Sequence, residues 1–388
     1  MNFQLSTEQN EIRQAILRLC ARFGDEYWLE RDRDGRFPQE FHQALAVDGW
    51  LGIAMPEAYG GSGLGMTEAA IMMQAIAESG AAMAGASAVH MNIFGLNPVV
   101  VFGTEAQKRR FLPPLIRGQE KACFAVTEPD AGLDTTKLKT HAVREGGHYF
   151  VSGQKIWIST AQVAERVLLL ARTTPLEDVK QPTAGLSLFY TALDRRYVEV
   201  REIDKMGRKA VDSNQLFFDR LPVPAEDRIG EEGQGFQIIL HGLNPERILV
   251  AAEAVGIGRA AVTRAARYAR ERIVFNRPIG QNQAIQHPLA RAWINLEAAN
   301  LMTWKAAALY DAGQPCGLEA NAAKYLAAEA GFEACETAVM THGGMGYAKD
   351  FHVERYLREV LIARIAPVSR ELILSHVAEK ALGLPKSY

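Results

Sequence analysis

Phe124-Ala125-Val126-Thr127-Glu128-Pro129-Asp130-Ala131-Gly132, and after it Gly153-Gln154-Lys155-Ile156-Trp157-Ile158-Ser159-Thr160, lie where the texture of the chain changes, and their reading decides the fold. Around them run short β-prone segments: Tyr149 to Val151, Lys155 to Ile158, Val167 to Leu170, Leu186 to Tyr190, Tyr197 to Ile203 and Gln215 to Phe218. Gly, Pro, Asp and Asn separate these runs, as they separate half-buried strands. Such spacing suits a small β-barrel or sandwich better than βαβ units, with Pro222 and Pro224 marking the exit.

On either side the pattern is helical. From Thr7 to Ile116 apolar residues recur at helical spacing, as in Ile12, Ile16 and Cys20, broken at Pro56-Glu57-Ala58-Tyr59-Gly60-Gly61 and by the turn signal Gly103-Thr104-Glu105. From Gly235 onward alanines dominate, notably Ala251-Ala252-Ala254, Ala260-Ala261 and Ala327-Ala328. Small residues at this spacing permit close helix approach, so a bundle is expected. The fold class is therefore α+β: an N-terminal α-helical domain (1–120), a central domain of β-barrel or sandwich type (121–230), of which a β-barrel is expected, and a C-terminal bundle (231–388), expected as a four-helix-bundle domain.

Composition excludes several functions. Forty-three basic against 45 acidic residues leave a net charge of −2, so no global field recruits nucleic acid or an anionic membrane. Met1 to Gln14 is polar and helix-like, without an apolar signal core, and no run of about 18 uninterrupted apolar residues occurs. Cys20, Cys123, Cys316 and Cys335 lack metal-ligand spacing and read as buried thiols; a soluble protein of a reducing cytoplasm, without a metal, is expected. Gly256-Ile257-Gly258 sits inside a helix and follows no strand, which argues against a dinucleotide fingerprint. His287 and His342 read as surface or packed residues rather than ligands.

One segment of the C-terminal part carries a candidate acid-base group. In Asn244-Pro245-Glu246-Arg247, Asn244 suits a helix N-cap, Pro245 the first helical position, and Glu246 the turn where the helix dipole favours negative charge.

The tracts Phe124–Gly132 and Gly153–Thr160, in this order, resemble the acyl-CoA dehydrogenase family of three-domain FAD flavoproteins. The resemblance covers nearly the whole chain, through Pro56-Glu57 with Tyr59-Gly60-Gly61, Gly103-Thr104-Glu105, Gly230 to Phe236, Arg272 with Phe275, Pro278-Ile279-Gly280 and Gln283, and Gly343-Gly344-Met345-Gly346-Tyr347. It implies that Phe124, Val126 and Thr127 line the flavin through an edge with free main-chain groups, that Trp157 packs by the isoalloxazine, and that Ser159 offers a hydroxyl to its N5 edge. It implies too that Arg272, with Phe275 and Gln283, reaches the FAD pyrophosphate across a subunit boundary, while Gly343 and Gly344 admit the adenosine diphosphate part. The protein is then a homo-oligomer, a dimer or a dimer of dimers such as a homotetramer.

The reaction implied is α,β-dehydrogenation of an acyl-CoA in fatty acid β-oxidation, with electron-transferring flavoprotein as acceptor. Most family members carry the base on a C-terminal loop, where this chain has Ala366-Pro367-Val368-Ser369. Pro367 cannot accept a proton and has no N–H for the thioester carbonyl, leaving Val368 N–H as a substitute; the nearest carboxylate, Glu371, falls a helical turn later. The isovaleryl-CoA and long-chain branch instead places the base before an Arg on a helix, and Glu246-Arg247 matches it. Glu246 is thus the expected base, with Asn244 and Arg247 beside the substrate. Leu133 and Met340 depart from the family's usual Ser and Gln. The alternatives are an oxidase, an enoyl-CoA reductase or a flavin monooxygenase on this scaffold, or a non-catalytic acyl-CoA or flavin binding protein.

Overall fold

A computed structural model describes residues 4–387. Met1, Phe3 and the residue between them lie outside the described residues, so the helix-like reading of the N-terminus is tested from Thr7 on. The first helices are α1 (Thr7–Cys20), α2 (Asp25–Asp34), α3 (Gln39–Val47), α4 (Met66–Ile76), α5 (Ala82–His90), α6 (Asn97–Phe102) and α7 (Glu105–Ile116). Capping decides where several begin. Ser6 and Gln9 form a reciprocal capping box on α1, and Thr104 with Gln107 does the same on α7, which makes the turn signal at Gly103 a helix start. The stretch Met66–Phe102 is long and apolar enough to cross a membrane by length and composition, yet 72% of its most apolar window is buried inside the protein.

The strands follow: β1 (Ala122–Ala125), β2 (His141–Glu145), β3 (His148–Ser159), β4 (Arg166–Arg172), β5 (Leu186–Ala192), β6 (Val198–Glu202), β7 (Ser213–Pro224) and β8 (Arg228–Ile229). They form one eight-stranded sheet in the order β6-β7-β3-β2-β4-β5-β8, with β1 parallel to β4. Val198 of β6 and Phe189 of β5, far apart in that order, share one core cluster with Val167, Leu169 and Val223, so the sheet curls around its own interior. Alternation along β4 sends Leu168 and Leu170 the other way, into the core of the helical layers.

One reading of the strands changes. The runs Tyr149–Val151 and Lys155–Ile158 belong to a single strand, joined through Gly153, where a φ of +145° and a Cβ position 2.5 Å from Thr140 Oγ1 leave no room for a side chain. Pro222 and Pro224 lie in the last residues of β7, paired with Phe150 and His148, and the strand ends at Pro224.

The last part comprises α8 (Gly235–Glu271), a hairpin of β9 (Ile273–Val274) and β10 (Arg277–Pro278), then α9 (Gln283–Asp311), α10 (Gly317–His342), α11 (Val353–Val360), α12 (Ile362–Ile365) and α13 (Arg370–Leu382). The expected bundle is built from α8, α9, α10 and α13, with α10 at its centre. The alanines Ala251, Ala252, Ala254, Ala260, Ala261, Ala327 and Ala328 are buried, and Gly256 lets α8 approach α4 so closely that a Cβ there would stand 2.4 Å from Gln74 O. Asp311 at the end of α9 accepts the Met66 and Thr67 amides at the start of α4 (2.6 and 2.9 Å), tying the two helical regions together. All four cysteines are buried and unpaired.

The local reading of Asn244 as a helix N-cap is overturned. α8 starts at Gly235 and runs through Pro245 without a break. Proline inside a helix removes a hydrogen bond and costs about 3 kcal/mol, but Ile238, Ile239 and Gly242 in the preceding turns are buried against the rest of the fold and hold the helix in place. Glu246 therefore sits inside a long helix, away from the favourable end of its dipole.

Candidate active site

Glu246 is part-buried by surface area, and its carboxylate accepts no protein hydrogen bond among the described residues. Loss of solvent pushes its pKa up to about 7, against the opposing pull of His90, Arg247 and Lys324 and with the help of Glu253. A carboxyl near neutrality with unfilled acceptor sites suits proton abstraction from a weak carbon acid. Arg247 is half-buried, its Nε has no partner, and one terminal nitrogen donates to Asn244 Oδ1 (3.1 Å). Asn244 thus orients the neighbouring guanidinium instead of capping the helix.

The segment Ala366–Ser369 lies opposite, between α12 and α13. Ser369 caps α13 by accepting from Leu372 N–H (3.3 Å), and the fully buried Lys324 of α10 donates to Val368 O (2.6 Å). Glu371 is exposed and paired with Arg370 at 2.6 Å, and that guanidinium holds its carboxyl below the usual range. The structure therefore separates the two candidate carboxylates by environment: Glu246 is poised to take a proton, and Glu371 is a solvated ion pair.

The strand edge expected to meet a flavin is adjacent. Phe124 packs on Phe94 (5.3 Å between centroids), which packs on His90 (4.6 Å) in the neighbourhood of Glu246. Ser159 Oγ accepts from Arg208 (3.1 Å), whose charge is felt by His90. Trp157 stands 57% exposed at φ +63°, in the irregular stretch of β3 between Lys155 and Ile158, and Thr160 and Arg208 also hold positive φ. Bulky side chains in this conformation are strained, and strain clustered around an open indole makes this surface a candidate ligand site. The expected free carbonyls are not found: Val126 O accepts from Lys155 Nζ and Thr127 O from Ile156 N–H, both at 2.9 Å. Lys155 is fully buried and also bonds Glu128 Oε1 (2.9 Å), while the Glu128 carboxylate accepts the Lys139 and Thr140 amides. Leaving either charge of such a buried pair alone typically costs about 3–5 kcal/mol, so these motif residues act as a pin that sets the strand edge.

Arg272, Gly343 and Gly344 come together elsewhere. They line a groove of about 390 Å³ with Met340 and His342 beyond the far end of α8, roughly 40 Å along the helix from Glu246 at 1.5 Å per residue. His342 is packed, stacked on Tyr268 at 4.3 Å, whereas His287 is exposed. Phe275 is 94% exposed at the hairpin beside Arg272, and Gln283 is exposed at the start of α9. One chain therefore does not bring these groups to Trp157 and Ser159. Both regions fit FAD: an open aromatic with a neighbouring hydroxyl for the ring system, and an exposed guanidinium beside two glycines with open space around them for the phosphates.

Four residues around Glu246 escaped the sequence reading: His90, Arg208, Glu253 and Lys324. No motif announces them. Glu253, set among buried alanines in an apolar helix, was the one visible signal.

Three family models match the chain: acyl-CoA dehydrogenase N-terminal domain at residues 6–119, middle domain at 123–221 and C-terminal domain at 233–382. The chain is 38% identical to acyl-CoA dehydrogenase FadE12 of Mycobacterium tuberculosis over 100% of its length and 99% of that protein's. It is 33% identical to caffeyl-CoA reductase-Etf complex subunit CarC of Acetobacterium woodii, over 92% of this chain and 94% of that one. The structure of butyryl-CoA dehydrogenase from Megasphaera elsdenii superposes with a TM-score of 0.91 at 31% identity, over 99% of this chain and 100% of that one.

Proposed function

Because the chain belongs to the acyl-CoA dehydrogenase family of FAD-dependent oxidoreductases, we propose that it oxidises an acyl-CoA thioester to the 2-enoyl-CoA, with Glu246 as the base. The observation that carries this reading is the Glu246 carboxyl itself: inside α8, without a hydrogen bond from the described residues, and with its pKa pushed up to about 7 by burial. When bound, FAD supplies the acceptor for the β-hydride. Glu246 removes the α-proton, and the positive charges of His90, Arg247 and Lys324 favour its ionised form before the proton arrives. The orphaned Nε of Arg247 offers the substrate a buried donor, with Asn244 holding the guanidinium in place. Pro367 contributes no main-chain donor to the thioester carbonyl, so that contact falls to other groups.

The separation of the Arg272 groove from the Trp157 edge supports a site completed by a second copy of the chain, and the exposed Ile273, Val274 and Phe275 supply an apolar hairpin for that contact. A dimer or dimer of dimers follows, and electron-transferring flavoprotein is proposed as the acceptor, since the relative CarC belongs to a reductase-Etf complex. The likeness to that reductase also favours a second reading: the same Glu, protonated, returning a proton to the α-carbon of an enoyl-CoA. A carboxyl near neutrality serves either direction. A cytoplasmic location is proposed on the four unpaired thiols.

The test is Glu246→Gln. The variant is expected to retain FAD and to lose bleaching of the flavin by acyl-CoA under anaerobic conditions, measured across a panel of chain lengths. Undiminished bleaching would remove Glu246 from the reaction, and reoxidation of the product enoyl-CoA complex would assign the direction.

A further inference from the structure

His90 and Glu253 form a charge pair that neither the motifs nor the reaction scheme uses. His90 closes α5 and is mostly buried; its Nδ1 lies 2.5 Å from Oε1 of Glu253, which is 2% exposed in the middle of α8. Among the described residues His90 is the only hydrogen-bond partner of that carboxylate, and Nε2 of His90 makes no protein hydrogen bond. Glu253 lies two helical turns beyond Glu246 on the same face of α8, so the imidazole from α5 approaches the face that carries both carboxylates. Phe94 packs against the imidazole at a tilt, with Phe124 behind it.

A buried carboxylate so close to a base is costly unless it is neutralised, because two like charges in a poorly solvated site resist ionising together. From this geometry we propose that His90 and Glu253 are a positioning pair for Glu246, with the imidazolium as the resident counter-charge that keeps the base ionised. The proposal rests on Glu246 being the base. The charged groups that face the two sites act as follows: Arg247 and Lys324 also favour ionised Glu246, Glu253 opposes it, and the buried Arg208 opposes the charge on His90 while attracting Glu253. Burial too disfavours the imidazolium, but Glu253 and Glu246 outweigh it and hold the His90 pKa above 6.5.

The test is a charge cycle in the FAD-loaded enzyme with two readouts: isotope-edited infrared titration of the Glu246 carboxyl, assigned with Glu246→Gln, and the acid limb of flavin reduction by acyl-CoA. His90→Gln takes from Glu253 its hydrogen-bonded counter-charge, leaving only the charge of Arg208, and should raise both by about one pH unit, a tenfold loss of ionised base at a given pH. His90→Gln/Glu253→Gln removes both charges and should return them to within about 0.3 unit of wild type. A His90→Gln variant with unmoved Glu246 titration overturns the proposal, as does a double variant that stays shifted. Ring-nitrogen NMR needs no His90 variant: His90 should titrate above 6.5 in the wild type and below it in Glu253→Gln, and a neutral His90 throughout also overturns the pair. Should Glu246→Gln still reduce flavin, the base assignment fails by itself, while the infrared titration reports separately on the coupling.

Discussion

Asn244–Arg247 inside α8 and Ala366–Ser369 between α12 and α13 are two places in one active site where a base can be carried, and they are built in opposite ways. The first puts a carboxylate on a continuous 37-residue helix packed on several neighbours, where lost solvation pushes Glu246 up to about 7. The second is a short connection with Pro367 at its centre, followed by a carboxylate, Glu371, that is exposed and held low by Arg370. A side chain becomes a base at neutral pH through its environment, and the environment follows from whether its backbone element is part of the core. A base carried on α8, as proposed, has its position fixed by the packing of the bundle, whereas one on the connection would depend on a few contacts such as Lys324 to Val368 O.

Removing the helix-borne carboxylate is the severest way to break that comparison. In Glu246→Gln the rate constant for flavin reduction in anaerobic stopped flow should fall by about 10³-fold, within the range that general-base removal usually costs. The side chain is nearly isosteric, so FAD content and the flavin spectrum should stay unchanged. A variant that loses FAD as well would instead assign Glu246 to the architecture of the site.

The pH dependence follows with its sign fixed by the direction of the shift. Glu246 works ionised, so flavin reduction should rise about tenfold per pH unit below a limb near 7 and level off above it. Glu371, which Arg370 holds below the usual carboxylate range, would place the limb far below neutrality. A flat profile between about pH 5 and 8 would therefore transfer the role away from α8.

Much of this was legible in the order of residues, for reasons that differ by region. The three-part layout follows from hydrophobic period, which reports burial directly. Glu246 stood out because a Glu-Arg pair occupied one base position while Pro367 emptied the other. The cap assigned to Asn244 failed because Asn-Pro-Glu satisfies every local rule for a helix start, whereas the deciding force was the burial of Ile238, Ile239 and Gly242 a few turns earlier. Val126 and Thr127 kept their place after β1 but not their free carbonyls, because the Lys155 ammonium and the Ile156 amide of β3 donate to them. His90, Arg208, Glu253 and Lys324 come from α5, the β6–β7 connection, α8 and α10, and meet only in three dimensions. Periodicity cannot see such a cluster, although an acid flanked by buried alanines hints at one.

Lys324 touches both halves of the comparison and can sharpen it. Its ammonium is fully buried, donates to Val368 O, and is pushed down to about 8 by burial and by Arg247, while Glu246 opposes that shift. Lys324→Met removes the pin on the loop and one of the charges that favours ionised Glu246. The acid limb should move up by about half a unit, about a threefold loss below the limb. A rise in KM with an unmoved limb would mean that Lys324 serves the loop alone.

The smallest expected effect discriminates most cleanly. Glu371 falls nearest the position where most of the family would carry its base, so its substitution asks whether loop geometry or environment decides. Its partner Arg370 also pairs with Glu329 (3.5 Å), so Glu371→Gln leaves the guanidinium anchored and Ser369 still capping α13. Exposed ion pairs contribute little, commonly under about 1 kcal/mol. Glu371→Gln should therefore keep flavin reduction within about twofold of wild type with an almost unchanged acid limb, since the lost charge is solvated and reaches Glu246 only through Lys324, on which it is the weakest of the charged influences. A large loss here, alongside an active Glu246→Gln, would reverse the assignment: the loop would then have to move Glu371 inward on substrate binding, and the raised carboxyl in α8 would be a buried acid with another task.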